Sequence, residues 1–274
     1  MDETRVQDLL DEVERERNVK ILFAVESGSR AWGLDSPKSD CDVRFVFTYP
    51  RDRYLTIQPP NDVIVHKNGE IELDSWELRK ALGLLTKGNP TCMEWVFAQV
   101  VYRELDWSHW PGLKVLRDLA HHYFNPIATY YHYLHIASNN YKDYIRGRGE
   151  VPVKKLTHVF RGLFSAIWVL QNTTLPKVMY TGELTDPMPA HNFNTLMVAA
   201  LPRVREYLTE QECDELVQIP AMKREGVDTM QEPAWLEPYL DTELRVLKDA
   251  ASSVPKPLHQ DFKMLDEFFR ASLR

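Results

Sequence analysis

The fold turns on FAVESGSRAWGLDSPKSDCDVRFVF, residues 23–47. Two β-rich apolar runs, VKILFAVES (19–27) and DVRFVFTY (42–49), enclose a polar segment containing glycine and proline. Each run has the length of one buried strand, so residues 27–39 form a loop or the start of a helix. The chemistry sits at the two ends of that segment. Ser27-Gly28-Ser29 leaves the first strand, and Asp40-Cys41-Asp42 enters the second.

Upstream, Val6, Leu9, Leu10 and Val13 recur at helical spacing and predict a helix over 3–17. Downstream, DVIVH (62–66) reads as a third strand and IEL (71–73) as a short fourth. Asp74 stands where it can cap a helix from Ser75, whose Trp76, Leu78, Ala81, Leu82 and Leu85 share overlapping apolar faces. After WSHWPG (107–112) the pattern becomes helical over 113–146, 153–171, 193–217, 233–251 and 258–271. GRGEVP, NTTLPK with the proline-rich loop to 191, MKREG and SSVPKP supply the breaks. The reading is α+β: a small α/β domain over 1–112, then a mostly helical domain over 113–274.

With 44% hydrophobic residues, the 274-residue chain can bury a sizeable core. Its formal charge of −7 argues against a general phosphate-coating protein, but leaves room for a local anion site. Cys41, Cys92 and Cys213 are far apart without a CxxC pair, which argues against structural zinc and a disulfide framework. The acidic N-terminal stretch lacks a signal-type apolar core, and no apolar run approaches a membrane span. A cytoplasmic protein, with no membrane partner, is expected.

Asp40 and Asp42 are spaced to face one point at the mouth of a strand. Like charges held that close call for a cation between them, and oxygen ligands suit Mg²⁺ or Mn²⁺. Ser27, Gly28 and Ser29 offer a flexible turn, bare amides and two hydroxyls to a phosphate tail. Together they suit phosphoryl or nucleotidyl transfer; a solvated turn and ordinary loop residues are the plainer account. GxGxxG and GK[ST] are both absent, so neither a Rossmann unit nor a P-loop is indicated.

Gly28-Ser29 followed by Asp40-x-Asp42 resembles the nucleotidyltransferase superfamily of DNA polymerase beta, poly(A) polymerases and kanamycin nucleotidyltransferase. The longer text, with WELRKAL, NPTCMEW, YHYLHIASNNY and the KK…R segment, is similar to the predicted nucleotidyltransferase family of bacterial and phage RNA repair. The resemblance implies a mixed sheet in the nucleotidyltransferase-type α/β domain. It also implies two-metal transfer of NMP from an NTP, with release of pyrophosphate. Asp40 and Asp42 would bind metal, and Ser27, Gly28 and Ser29 the phosphates. A third carboxylate is implied on a later strand, where Glu70, Glu72 and Asp74 share a face; the WELRKAL match favours Glu72, with Asp74 the rival.

Arg30, one residue past the loop, is placed to clamp phosphate, while Arg44 shares the strand face of Asp40 and Asp42 and is equally placed to pair with those carboxylates. Trp32 is a candidate for stacking on a base and a better one for packing on the core. Two helices carry polar stripes: His132, His135, Asn139, Lys142 and Arg146, and then Lys154, His158, Arg161 and Ser165. The resemblance adds Lys142, Lys155 and Arg161 as nucleotide-binding cations, with Lys154 the geometric rival of Lys155 and Arg148 a bystander. The simplest arrangement turns both stripes toward the α/β domain. The expected partners are an NTP and an RNA or tRNA end. Nucleotidylation of a small molecule or protein, and a non-catalytic nucleotide-binding module, remain the alternatives.

Overall fold

The computed structural model describes residues 3–106, 110–174, 188–257 and 261–273. The start of the WSHWPG junction, most of the proline-rich loop and the first residues of the last expected helix lie outside these. In chain order the elements begin α1 (Glu3–Arg17), β1 (Lys20–Ser27), α2 (Gly28–Ala31), β2 (Cys41–Thr48), β3 (Val65–Asn68) and β4 (Ile71–Glu77). Next come α3 (Leu78–Thr86), α4 (Pro90–Val96), β5 (Val101–Glu104), α5 (Leu113–His122), α6 (Pro126–Tyr144), β6 (Glu150–Pro152) and α7 (Val153–Thr174). The chain continues with α8 (Phe193–Val204), α9 (Glu210–Arg224), β7 (Thr229–Gln231), α10 (Leu236–Ala250) and α11 (Lys263–Ser272).

Five strands form a mixed sheet in the order β3-β4-β2-β1-β5, with β2 and β4 parallel and the other pairs antiparallel. β1 lies inside the sheet and is buried on both faces, which is why its sequence is a continuous apolar run. On one face α1 sets Val6, Leu9, Leu10 and Val13 against Val43, Phe45, Phe47, Ile71 and Leu73. On the other, Phe23, Val46 and Trp76 meet α3, α4 and α5, and the Trp76 ring stacks on Trp95 at 3.7 Å. β2 alternates buried Cys41 and Val43 with half-buried Asp42 and Arg44. Both charged residues therefore share the face of Val46.

Two local expectations are corrected. The third strand covers Val65–Asn68, not 62–66, because Ile64 bonds with both its backbone groups to the buried Ser75 hydroxyl (3.0 and 2.8 Å). The fourth strand runs on to Glu77, so Asp74 caps no helix. Ile71, Leu73, Ser75 and Glu77 keep a two-residue burial alternation, and Glu77 caps α3 by accepting the Arg79 N–H at 2.8 Å. In the helical half, the run 113–146 is two helices divided at Asn125-Pro126, where Asn125 caps and Pro126 opens α6. The run 193–217 is likewise divided, by the Thr209–Glu212 capping box that begins α9.

The chain forms two compact units, one of residues 1–31, 39–124 and 258–274, the other of 32–38 and 125–257. This division differs from a single break after residue 112. α5 stays with the sheet: Leu116 joins its apolar layer, and Arg117 donates to the Val96 and Ala98 carbonyls at 2.9 and 3.1 Å. α11 belongs there too, with Phe268 against Trp110 and Phe269 against Tyr54. Conversely, Leu34 is buried in the core of the helical unit. Among the described residues no helix is long and apolar enough to cross a membrane.

The helical unit centres on α6 and α7, whose Tyr130, Tyr133, Leu134, Phe160, Leu163 and Phe164 are buried together. Tyr130 donates its hydroxyl to the Leu247 carbonyl at 2.6 Å, which ties α6 to α10. The fully buried Glu243 of α10 is held by Arg203 of α8. Gly162 permits the α6–α7 crossing, because a Cβ there would sit 2.7 Å from the Tyr133 carbonyl oxygen and 2.8 Å from the Ala137 nitrogen. Backbone atoms cannot swing aside as a side chain can. Gly162→Ala should therefore destabilise the protein by about 1–3 kcal/mol, despite the better helix propensity of alanine. Chemical denaturation measures this, and an unchanged or raised stability contradicts the close crossing.

Candidate active site

One rung of the sheet gathers the charged residues. Strand register sets Ser27 opposite Asp42, Asp42 opposite Glu72, and Glu72 opposite Lys67. Directly opposed residues project from the same face, so a hydroxyl, two carboxylates and an ammonium stand in a row across four strands. The next rung sets Arg44 opposite Asp74. Arg44 Nη2 donates to Asp42 Oδ1 at 2.9 Å and lies 3.9 Å from Glu72 Oε1, while Lys67 Nζ is 3.7 Å from Glu72 Oε2. Glu72 is therefore the carboxylate beside Asp42, and Asp74 is the one beside Arg44.

The glycine loop touches this row. Gly28 has φ +67°, and a Cβ on it would fall 2.0 Å from Asp42 Oδ2. Only a residue without a side chain allows that approach. Asp40 stands just outside the ladder and is exposed; the Cys41 N–H next to it donates to the Glu70 carbonyl at 2.7 Å. Burial pushes the Asp42 carboxyl above its usual range, Arg44 opposes that, and the charges of Glu72 and Asp40 add to it. Asp42 is thus the carboxyl that feels both Glu72 and Asp40. Among the described residues no three His, Cys, Asp or Glu side chains are gathered as a metal centre. The positive charge that two neighbouring carboxylates require is supplied by Arg44.

The remaining expected residues are divided between the two units. Arg30 donates from Nε to Glu26 Oε1 at 2.7 Å, so its guanidinium is held by a carboxylate. In the helical unit, Arg161 is 5% exposed, its guanidinium 3.9 Å above the Trp32 ring and 5.6 Å from that of Tyr133. Trp32 packs on the core of this unit, as the packing account of it expects. Lys155 lies 4.1 Å over the Tyr144 ring, and Lys142 and Lys154 are exposed.

A family model described as the RNA repair pathway DNA polymerase beta family (RlaP) matches residues 3–271. The chain belongs to that family. It is 36% identical over 202 residues to the uncharacterized protein YcgL of Bacillus subtilis (strain 168), covering 73% of this chain and 76% of that protein. A nucleotidyltransferase-like protein from Exiguobacterium sibiricum 255-15 aligns over 99% of this chain and 81% of its own, at 14% identity and a TM-score of 0.30. Membership makes this RlaP-family chain a nucleotidyltransferase-type protein.

In this RlaP-family chain, sequence reasoning passed over the support beneath the loop. Glu26, 7% exposed, accepts from both Arg30 and the Tyr102 hydroxyl, each at 2.7 Å. Tyr102 also lies 3.7 Å from the Cys41 sulfur. The signal was present: an acid inside an otherwise apolar strand, with an arginine four residues on, needs a partner. The network joins β1, α2, β2 and β5 under the Gly28 turn.

Asp42 yields a test of sign. Its folded carboxyl holds a proton more tightly than in the unfolded chain, so ionised Asp42 subtracts stability at neutral pH. That subtraction disappears as pH falls below the ordinary carboxylate range. Asp42→Asn, measured in chelator, should therefore raise Tm at pH 7, with a gain that closes toward pH 3. A lower Tm at pH 7 would mean that the Arg44 contact outweighs burial.

Proposed function

We propose that this protein transfers NMP from an NTP to the hydroxyl of an RNA or tRNA end and releases pyrophosphate. The observation that carries the reading is the contact of Gly28 with Asp42, which puts a turn of bare backbone against a rung bearing two carboxylates. Family membership supports the nucleotide chemistry, and the family's description supports RNA as acceptor.

The donor set suits a hard divalent ion: carboxylate oxygens from adjacent strands, with a turn at Gly28 that a Cβ would fill. Asp40, Asp42 and Glu72 would hold Mg²⁺ or Mn²⁺, which when bound neutralises phosphate charge and makes the acceptor hydroxyl more acidic. Ser27 and Ser29 offer hydroxyls, and the Gly28 turn its backbone, to the phosphates. Glu72 orients the acceptor and receives its proton. Arg44, now paired with Asp42, is within reach of any negative charge that enters the rung. Glu26 and Tyr102 hold the loop in position through Arg30. A cytoplasmic setting supplies the NTP.

Single-turnover assays with labelled NTP, divalent metal and an RNA bearing a free 3′-hydroxyl test the assignment. Glu72→Gln should retain NTP binding and lose about 10²–10⁴-fold in rate, the usual range for a removed general base. Asp74→Asn should stay within severalfold of wild type. The reverse pattern makes Asp74 the third carboxylate. Transfer to a small molecule or a protein, with none to RNA, overturns the acceptor.

A further inference from the structure

We infer that Trp32 is a positioning residue for the proposed transfer: seated in the helical unit and held there by Arg161, it places the turn at Gly28 and Ser29. The functional consequence rests on the transfer reading; the geometry rests on contacts within each unit.

The turn needs more than one support. Gly28 and Ser29 open α2, a single helical turn that ends at Ala31, and none of its four residues is buried. It therefore has little packing of its own to fix it. The bond from Arg30 to Glu26 ties it at one point. A single point leaves the turn free to pivot, and the close approach of Gly28 to Asp42 tolerates little of that. Trp32 is the next residue after α2, and with it the chain passes from the sheet unit to the helical unit.

The helical unit grips this residue and the next two. The Trp32 ring has the Arg161 guanidinium 3.9 Å above it, and the His158 ring stands perpendicular to it at 5.5 Å between centroids. Arg161 is 5% exposed and lies 5.6 Å from the Tyr133 ring as well. A cation over aromatic rings is held more strongly out of water than in it. The Trp32 carbonyl accepts the Phe193 N–H at 3.0 Å, one of the donors that the first turn of α8 cannot satisfy internally. Gly33 follows at φ +68°, where a Cβ would stand 3.0 Å from the Asn192 amide nitrogen, and its carbonyl accepts from Arg224 of α9 at 3.4 Å. Leu34 is buried in the core of the unit. α7, α8 and α9 thus all contribute to holding Trp32 and Gly33.

Beyond Leu34 the hold is weak. Asp35, Pro37 and Lys38 are exposed, and Lys38 makes only a solvated pair with Asp228 at 3.4 Å. The anchor therefore acts on the Gly28 end of the segment far more than on the Asp40 end. Arg161 is the informative part of it. A guanidinium is costly to bury, and an aliphatic side chain would pack there without that cost. What Arg161 adds is a defined place for one ring, three residues past Ser29.

Hydrogen exchange of the full chain, read by mass spectrometry, tests the placement, and calorimetry with a non-hydrolysable NTP analogue tests its consequence. Trp32→Ala and Arg161→Met should speed exchange over 28–34, with less change over 39–42. Each should weaken the analogue about tenfold, the usual loss for one charge-assisted contact. Trp32→Phe, which keeps a ring for Arg161, should stay close to wild type in both. The double variant Trp32→Ala with Arg161→Met should lose no more than either single one, because Arg161 acts through Trp32. Additive losses would make Arg161 a direct nucleotide contact and overturn the inference. Tyr130→Phe removes the bond between α6 and α10 without touching the segment; it should lower Tm and leave both readouts unchanged, so lost stability alone does not imitate the effect. If Trp32→Ala folds poorly, Trp32→Leu keeps apolar bulk without a ring and takes its place. Unchanged exchange over 28–31 in the Trp32 and Arg161 variants overturns the positioning role, as does unchanged affinity in both. A wild type that binds no analogue overturns the transfer reading instead, and the exchange pattern still decides whether Trp32 places the turn.

Discussion

The approach of the Asp42 carboxylate to the Cα of Gly28 is the constraint on which the first unit is arranged. It needs β1 to end where it does, a left-handed residue directly after it, and β2 to pair in one register only. A slip of one residue would turn Asp42 and Arg44 toward α1 and bring Val43 and Phe45 out to the charged face. The apolar layer under α1 prevents that slip, since Val43, Phe45 and Phe47 are all fully buried there. Core packing therefore decides which side chains share the rung, although no core residue belongs to it.

The parallel pairing of β2 with β4 does the second part of the work. It brings Glu72 beside Asp42 across thirty residues of sequence, and it leaves the antiparallel β3 on the outer edge with Lys67 turned to Glu72. Negative charge at the rung is offset by Arg44, bonded to Asp42 at 2.9 Å, and by Lys67, 3.7 Å from Glu72. Both cations pair with carboxylates of the rung itself. Arg30 differs, because the buried Glu26 fixes it. The three cations near the loop thus have two characters: one holds the scaffold, and two neutralise the rung.

Much of this was readable from residues in order. The lengths of β1 and β2 and the buried face of α1 follow from short-range periodicity, and the fold bore them out. The extent of β4 was misread because Ser75-Trp76-Glu77 resembles a helix start, while the partner that makes Ser75 a strand residue is Ile64, on another segment. Glu72 and Asp74 are indistinguishable by alternation alone; only the register against β2 separates them. The stripe on α7 was visible, but its meaning was not. Arg161 proved to be buried on Trp32, which comes from a segment far earlier in the chain. Long-range pairing, and not propensity, accounts for each of these differences.

The way the chain is divided also sets the order in which the molecule can be completed during synthesis. The helical unit uses residues 32–38 and 125–257, so all of its segments have been made by residue 257. The sheet unit starts first but lacks its last piece until α11 is made. Phe268 and Phe269, which cover Trp110 and Tyr54, come only with that helix. Until α11 is in place, the unit bearing the carboxylates has aromatic surface uncovered. The sheet unit is thus closed by a segment far along the chain from its strands, so its folding depends on contacts of long sequence separation.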